Sequence, residues 1–256
     1  MKRLLVVEGN TAEGIMEIAR NGRRAHSRNY AELLRDLDES VECEFAQPSE
    51  EGIHALPEGT AFADFEGAVL TGSPLHAYAD DPAVLNQLRF AELLYASGIP
   101  IFGSCWGLQI MTRALGGRIR KNPKGREVGI AKGFCLNEAG RAHPMYVGKT
   151  NPFECFTVHL DEVEDLAPGS TILAHNKMSA VQAASIETGG GRFWGVQYHP
   201  EFNKAEMTRI FNIVAKQLVD EGTYENPAAV DQMRKQIAQG PAAFDRIELI
   251  NWLSNL

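Results

Sequence analysis

The stretch from Ile99 to Gln109 constrains the fold more than any other part of this chain. An apolar run, Ile99–Phe102, ends at Gly103, and a helical pattern of apolar residues begins directly after Cys105. A strand that passes at once into a helix is typical of an α/β fold. Gly-x-Cys-x-Gly at such a turn is the thiol version of a nucleophile elbow, where glycines relieve crowding around a strained, exposed residue. The turn therefore predicts a reactive cysteine at the edge of a sheet.

Cys105 is also expected to lie at the N-terminus of the helix that follows the turn. The positive end of a helix favours an anion, and the thiolate is the nucleophilic form of cysteine. The other cysteines, Cys43, Cys135 and Cys155, lie in strand-like runs and are predicted to be inert apolar residues. Because no Cys-x-x-Cys pair occurs, free thiols in a reducing, cytoplasmic compartment are the simplest expectation.

Composition and charge limit the classes of partner. The chain has 256 residues, of which 44% are hydrophobic and 23% are charged, as in ordinary globular proteins. Its formal net charge of -8 argues against nucleic acid or an anionic membrane as the main partner, because phosphate groups bind to a positive surface. No apolar run reaches membrane-spanning length, and Glu8-Gly9-Asn10 ends the first one too early for a signal peptide.

The order of predicted elements indicates an α/β fold. Strands and helices alternate as far as Gly116-Gly117, and short strands dominate from there to Tyr198. This order predicts three layers around a mainly parallel central sheet with antiparallel additions. A long polar connection from Gly9 to Asn29, with one predicted helix at Ala12–Arg20, is expected to cover the site.

The end of the chain is predicted to be helical. Two weak helical patterns, at Ala228–Gln239 and Phe244–Leu253, are separated by Gly240-Pro241. We therefore expect one domain over residues 1–225 and a C-terminal helical tail over residues 226–256. The tail is a candidate surface for a homodimer.

A cysteine nucleophile needs a nearby base, and seven histidines are candidates. They are His26, His54, His76, His143, His159, His175 and His199. His199 is favoured because an apolar strand, Phe193–Tyr198, delivers it to the C-terminal edge of the sheet, where ligands of open α/β sheets bind. Pro200 stiffens the turn that follows, and Glu201 can reach back to the imidazole. We therefore predict that Cys105 and His199 come from the ends of two strands of one sheet.

Two motifs together resemble those of a known family. Gly-Ser-Cys-Trp-Gly-Leu-Gln at residues 103–109 and Gly-Val-Gln-Tyr-His-Pro-Glu at residues 195–201 are similar to the signatures of class I (triad) glutamine amidotransferases. The likeness runs from about Val69 to Phe202 and is strongest to free-standing glutaminase domains of the GMP-synthetase type. It implies a flavodoxin-like core and a catalytic triad of Cys105, His199 and Glu201.

The resemblance also implies an oxyanion hole made of two backbone N–H groups. One belongs to Trp106, and the other to Ser73 in the turn Thr71-Gly72-Ser73-Pro74. Ser73 stands where the family usually has glycine, although a backbone donor survives that change. The family further implies substrate contacts at Gly72 and Gln109.

His159 belongs to a block, His159-Leu160-Asp161, that resembles the family with lower specificity. It is a candidate for substrate binding, and a structural role is an equal alternative. Glu127-Val128-Gly129 is a second block of this kind.

The implied chemistry is hydrolysis of the side-chain amide of glutamine through a cysteinyl thioester. Fixed N–H donors stabilise the tetrahedral oxyanion, and His199 protonates the departing ammonia before it activates water. This reaction needs no cofactor and no metal, and no group of His, Cys and Glu in the sequence has metal-ligand spacing.

The sequence leaves other functions open. One alternative is a γ-glutamyl peptidase or hydrolase that uses the same triad, and another is a non-catalytic binding protein on this scaffold. An intact Cys-His-Glu set argues against the binding protein, and a redox or glyoxalase-type relative leaves the second motif unexplained. Because too little chain follows Phe202 for a synthetase domain, an ammonia-accepting synthetase would be a separate subunit.

Overall fold

The chain forms eleven strands and nine α-helices in a computed structural model that describes residues 1–256. The strands are β1 (Lys2–Val7), β2 (Val41–Ala46), β3 (Gly67–Leu70), β4 (Pro100–Ser104), β5 (Arg118–Lys121), β6 (Glu127–Leu136), β7 (Phe153–His159), β8 (Asp161–Asp165), β9 (Ser170–His175), β10 (Ala183–Ile186) and β11 (Arg192–Val196). The helices are α1 (Ala12–Arg20), α2 (His26–Leu37), α3 (Pro48–Glu51), α4 (Pro82–Ala96), α5 (Trp106–Ala114), α6 (Glu138–Ala142), α7 (Lys204–Val214), α8 (Pro227–Gln239) and α9 (Ile247–Ser254).

Nine of the strands form one sheet in the order β2-β1-β3-β4-β11-β10-β9-β6-β7. The first five strands in this order, which are β2, β1, β3, β4 and β11, pair in parallel. The remaining four strands pair in antiparallel fashion. Strands β5 and β8 form a separate antiparallel pair. The predicted α/β class, with a mainly parallel sheet and antiparallel additions, is confirmed.

Helices cover both faces of the sheet, because the buried parallel strands are apolar on both sides. In β1, Leu4 and Val6 belong to a core cluster that includes residues of α2 and α9. Leu5 and Val7 point to the other face and belong to a cluster with residues of α4 and α5. This alternation produces the three predicted layers.

The register of the central strands brings the two predicted reactive residues to one edge. Strand β4 pairs in parallel with β11, and Ser104 lies opposite Val196. The N–H of Cys105 donates to the carbonyl of Val196 at 2.7 Å. The chain therefore leaves both strands at the same level, with Cys105 after one and His199 after the other.

The C-terminal residues pack on the core. Val230 and Ile237 of α8 belong to a cluster with residues of α7 and β6. Trp252 of α9 packs against Phe102 of β4, and their ring centroids lie 6.1 Å apart. A domain boundary at residue 225 stays a prediction. No helix is both long and apolar enough to span a membrane.

Some element boundaries differ from the sequence expectations. Helix α2 begins at His26, inside the connection that was predicted to extend from Gly9 to Asn29. Strand β8 was not predicted, because its sequence Asp-Glu-Val-Glu-Asp lacks an apolar run.

Candidate active site

Cys105 occupies a strained turn between β4 and α5. It is the one residue other than glycine with a positive φ, at 52°, a conformation that costs free energy and is found at functional sites. The turn is this tight because Gly107 lets the helix approach β3: a Cβ there would lie 2.6 Å from the carbonyl oxygen of Leu70. The glycine spacing seen in the sequence thus has a packing cause.

The thiol of Cys105 lies at the N-terminus of α5 and is 6% exposed. Its sulfur is 3.7 Å from the carbonyl oxygen of Val158 at the end of β7. It also lines a cleft together with His199. The helix N-terminus places a positive partial charge beside the sulfur.

His199 is buried and oriented by its neighbours. Its Nδ1 lies 2.7 Å from Oε1 of Glu201, and its ring stacks on Phe202 with centroids 4.0 Å apart. Its Nε2 is buried and has no hydrogen-bond partner in the protein. Burial by itself would lower the pKa of His199, but the Glu201 carboxylate and the Cys105 side chain outweigh burial and raise this pKa to about 10.

Glu201 is held in place by a buried chain of hydrogen bonds. The hydroxyl of Ser104 donates to Oε1 of Glu201 at 3.1 Å, and the hydroxyl of Tyr30 lies 2.8 Å from that of Ser104. Burial raises the pKa of Tyr30 well above its ordinary value, so this phenol stays neutral. The carboxylate that orients His199 is therefore itself oriented from β4 and α2.

Two backbone N–H groups are available near Cys105. The N–H of Trp106 is among the first N–H groups of α5, which have no carbonyl partner within a helix. The N–H of Ser73 donates no hydrogen bond within the protein. The indole of Trp106 is fixed by donation to Oε1 of Gln87 at 2.8 Å.

The cleft has a volume of about 560 Å³ and is lined by both polar and apolar residues. Among the polar ones, Oδ2 of Asp161 lies 2.7 Å from Nδ1 of His76, while its Oδ1 is buried without a hydrogen-bond partner. Four apolar side chains of α1 and α7 form what we call the apolar wall of the cleft. They are Ile18, Ile210, Ile213 and Val214.

Gln109 and His159 both line this cleft, and both are held by the protein. Gln109 donates through Nε2 to the carbonyl of Asp161 at 3.1 Å and to Oε1 of Gln197 at 3.0 Å. His159 lies 2.9 Å from the Asp161 carbonyl through Nδ1 and 2.9 Å from Oε2 of Glu127 through Nε2. The two residues therefore brace the wall that carries Asp161.

The structure brings all eight predicted site residues to this one region. Gly72, Ser73, Cys105, Gln109, His159 and His199 line the cleft, while Trp106 and Glu201 lie directly behind Cys105 and His199. No group of three or more His, Cys, Asp or Glu side chains is arranged to hold a metal ion.

Three features of the site were not predicted from the sequence: the free oxygen of Asp161 and the positions of Tyr30 and His26. The unpartnered oxygen of Asp161 depends on β8, which carries no strand pattern. Tyr30 and His26 lie on α2, remote in sequence from every motif, and no local signal distinguishes them. His26 could have been found only as one of the seven histidines.

Comparisons with known proteins identify the family of this chain. Residues 25–216 match the model of the family Glutamine amidotransferase class-I. The chain is 32% identical over 278 residues to a gamma-glutamyl-L-1-hydroxyisopropylamide hydrolase from Pseudomonas sp, a match that covers 99% of this chain and 92% of the relative. It is 34% identical over 191 residues to a GMP synthase from Corynebacterium jeikeium, which covers 72% of this chain but 34% of that relative.

The fold is likewise similar to a solved structure. A glutamine amidotransferase from Thermotoga maritima aligns with a TM-score of 0.68 and 16% identity, over 99% of this chain and 96% of that one. At this identity the likeness concerns the fold alone. The family model covers three quarters of the chain, and the Pseudomonas relative matches it almost from end to end. The chain therefore belongs to the class I glutamine amidotransferase family, whose members cleave amides.

Proposed function

We propose that this protein hydrolyses γ-glutamyl amides through a cysteinyl thioester, and that its preferred substrates carry a small alkylamine as leaving group. Glutamine is the simplest γ-glutamyl amide, with ammonia as the leaving group. The observation that carries the proposal is the cleft that Cys105 and His199 share with the unpartnered carboxylate oxygen of Asp161 and with an apolar wall.

In the acylation step, Cys105 attacks as a thiolate. With the pKa of His199 raised to about 10, the imidazolium is the main form at neutral pH and stabilises the thiolate beside it. The sulfur forms a bond to the amide carbon, and the carbonyl electron pair moves to oxygen. The N–H groups of Ser73 and Trp106 donate to that oxyanion. The imidazolium then gives its Nε2 proton to the amine as the C–N bond breaks.

Deacylation uses the same groups in reverse. The neutral imidazole of His199 takes a proton from water through Nε2, and the oxygen attacks the thioester carbon. A second oxyanion forms in the same N–H pair and collapses, and the C–S bond breaks to return the Cys105 thiolate. The products are glutamate and the free amine, so one water is consumed per amide. Glu201 keeps Nδ1 of the ring protonated throughout, which leaves Nε2 free for the transfer.

Asp161 is proposed to bind the α-ammonium group of the γ-glutamyl moiety. Its Oδ1 is buried, carries no hydrogen bond and belongs to a residue that lines the cleft. A buried acceptor without a partner is costly, and an ammonium group supplies both the donor and the opposite charge. His76, 2.7 Å from Oδ2, holds the carboxylate in place.

The apolar wall supports an alkylamine rather than ammonia as leaving group. Helix α7 begins five residues after His199, the residue that must meet the leaving nitrogen, and contributes Ile210, Ile213 and Val214 to the cleft. Ammonia gains nothing from apolar contact, whereas each buried methylene contributes about 0.8 kcal/mol. The similarity over 99% of this chain to the Pseudomonas gamma-glutamyl-L-1-hydroxyisopropylamide hydrolase supports a γ-glutamyl amide with a small amine as leaving group.

A second candidate is a glutaminase that delivers ammonia to a synthetase, supported by the similarity to a GMP synthase. The match covers 34% of that relative, and in this candidate function a synthetase is the partner that accepts the ammonia. A cytoplasmic location fits both candidates, since all four cysteines are free thiols. Self-association through α9, where Ile250 is exposed, also stays a prediction.

Steady-state rates on two substrates test the proposal. We expect kcat/KM for γ-glutamyl isopropylamide to exceed that for glutamine by at least ~10-fold, with glutamate as the common product. Equal or faster turnover of glutamine would favour the ammonia-delivering glutaminase. Failure of both substrates to react, together with no labelling of Cys105 by 6-diazo-5-oxonorleucine, would overturn both functions.

A further inference from the structure

We propose that His26 is a positioning residue that sets the direction of the Ser73 N–H toward the oxyanion. This inference rests on the proposed function, in which that N–H stabilises the tetrahedral intermediate. His26 begins α2, at the end of the polar connection that was expected to cover the site. It is outside both sequence motifs, and it contacts the turn that carries Ser73.

The contacts of His26 define which of its nitrogens carries the proton. Its Nε2 lies 3.1 Å from Nη2 of Arg23, and its Nδ1 lies 2.9 Å from the carbonyl oxygen of Gly72. A guanidinium only donates hydrogen bonds, and a carbonyl oxygen only accepts them. Nε2 is therefore the acceptor, and Nδ1–H donates to the Gly72 carbonyl.

That hydrogen bond fixes the orientation of the peptide between Gly72 and Ser73. In a trans peptide the C=O and N–H point in opposite directions. Because the Gly72 carbonyl points at His26, the Ser73 N–H points away from it, and Ser73 lies on the cleft wall that holds Cys105. A Cβ on Gly72 would lie 3.1 Å from Cε1 of His199 and 3.7 Å from Nδ1 of His26, so both imidazoles lie close to Gly72.

Arg23 is itself immobilised by a buried ion pair. Its Nη2 lies 2.6 Å from Oε1 of Glu206, and both side chains are 9% exposed. Its Nε donates to the same oxygen at 2.8 Å. Glu206 lies in the first turn of α7, where Asn203 caps the helix. The ion pair thus ties the connection before α2 to α7 and holds Arg23 where it donates to His26.

Without His26 the peptide has weaker restraints. Two longer contacts remain on the Gly72 carbonyl, from Nδ2 of Asn10 at 3.5 Å and from the hydroxyl of Thr71 at 3.4 Å. Glycine rotates readily about its backbone bonds, so the peptide would sample orientations in which the Ser73 N–H misses the oxyanion. The defect would appear only when an oxyanion forms, because attack of the thiolate on a simple alkyl halide needs no such donor.

The test compares turnover with thiol reactivity in His26→Ala, His26→Asn and the control His54→Ala, an exposed histidine remote from the cleft. For His26→Ala we expect kcat to fall about 10- to 100-fold, with KM changed by less than about twofold and the rate of Cys105 alkylation by iodoacetamide unchanged. Asparagine places an amide donor near the position of Nδ1, so His26→Asn should recover most of kcat. The control should match the wild type in all three measurements.

Two results would overturn the inference: unchanged kcat in His26→Ala, or a parallel loss of kcat and alkylation rate, which would indicate general damage to the site. As a second variant, the volume-conserving pair Arg23→Met/Glu206→Leu should lower kcat in the wild-type background but add little to His26→Ala. Full additivity would likewise contradict the proposed chain of contacts. If the wild type hydrolyses no γ-glutamyl amide, the proposed function itself is wrong. If the wild type is active and His26→Ala is equally active, only the inference about His26 is wrong.

Discussion

His199 and Glu201 form a buried pair, with Nδ1 of the imidazole 2.7 Å from Oε1 of the carboxylate. Glu201 also accepts a hydrogen bond from the hydroxyl of Ser104. Both residues of the pair follow β11, and Ser104 is the last residue of β4, so the residue that orients the base is anchored on the strand that delivers the nucleophile. Nε2 of His199 is the one ring nitrogen left for proton transfer.

The pH dependence of turnover follows from this pair. Burial lowers the pKa of His199, but Glu201 and Cys105 outweigh it and raise the pKa from 6.5 to about 10. The imidazolium must donate to the leaving amine, so kcat/KM is expected to fall as pH rises through about 10. In Glu201→Gln the carboxylate contribution is lost, and the falling limb should move to lower pH. Glu58→Gln, at an exposed position, is the control and should keep the pH profile of the wild type. If the falling limb of Glu201→Gln lies at the same pH as that of the control, this account is contradicted.

Folding stability should respond to the same proton. The pKa of His199 is higher in the folded state than in the unfolded chain. At a pH between these two pKa values, folding is therefore accompanied by protonation of His199. The stabilisation is fully present below pH 6.5 and is lost as pH rises toward about 10. Denaturant unfolding at several pH values should show a smaller decline over that range in Glu201→Gln than in the wild type. An equal decline in both would exclude the pair as its source.

Asp161→Asn should weaken substrate binding more than catalysis. The substitution removes the charge that is proposed to meet the α-ammonium group, and hydrogen bonds to charged groups contribute about 1.5–3 kcal/mol. KM for γ-glutamyl isopropylamide should therefore rise about 10- to 100-fold, while kcat changes much less. Asp231→Asn, at an exposed position of α8, is the matched control. An unchanged KM in Asp161→Asn would place the ammonium group elsewhere.

Ile213→Asp should change the choice of leaving group. Ile213 is 44% exposed on the apolar wall of the cleft, so the fold should tolerate the substitution. A carboxylate at this position would disfavour the binding of an alkyl group beside it. The ratio of kcat/KM for the isopropylamide to kcat/KM for glutamine should therefore fall about 10-fold. Ile250→Asp, on the exposed side of α9, should leave this ratio unchanged. If the two variants behave alike, the apolar wall does not contact the leaving group.

Lys149→Met should destabilise the fold by about 3–5 kcal/mol, because it leaves a buried carboxylate without its partner. Nζ of Lys149 lies 2.9 Å from Oε1 of Glu248, and both side chains are fully buried. Glu248 also accepts from the hydroxyl of Tyr198, the neighbour of His199. Urea unfolding measures the loss, and Lys149→Met/Glu248→Leu should recover part of it. Lys132→Met, which breaks an exposed pair with Glu154, should cost less than about 1 kcal/mol.

That experiment also bears on the C-terminal residues. Glu248 lies on α9, in the predicted tail, whereas Lys149 and Tyr198 precede residue 225. A large loss of stability would mean that α9 unfolds together with the sheet. A loss within the range of the Lys132 control would favour a tail that folds independently.

The elbow and the strand before His199 could be predicted because their signals are local. Gly103 and Gly107 flank Cys105 in sequence, and the apolar run before His199 specifies a buried strand wherever its neighbours lie. The sequence predicted that these two strands belong to one sheet, but not that β4 pairs directly with β11. These local patterns accounted for the fold class and for the region in which the site residues meet.

The supporting contacts could not be predicted, because they join residues that are distant in sequence and have no pattern of their own. Tyr30 meets Ser104, and Arg23 meets Glu206, only after the helices dock on the sheet. Asp161 begins a strand whose charged sequence resembles a loop, and its free oxygen depends on where His76 lies. Tertiary packing, rather than local propensity, decides such positions.

The most direct test of the account is intact-protein mass spectrometry of the enzyme quenched during turnover of γ-glutamyl isopropylamide. The account predicts a covalent γ-glutamyl adduct on Cys105 that hydroxylamine removes, with release of one amine per active site before steady state. Cys105→Ala should show neither adduct nor turnover while keeping its fold. Hydrolysis retained by Cys105→Ala, or an adduct on any other residue, would contradict the account.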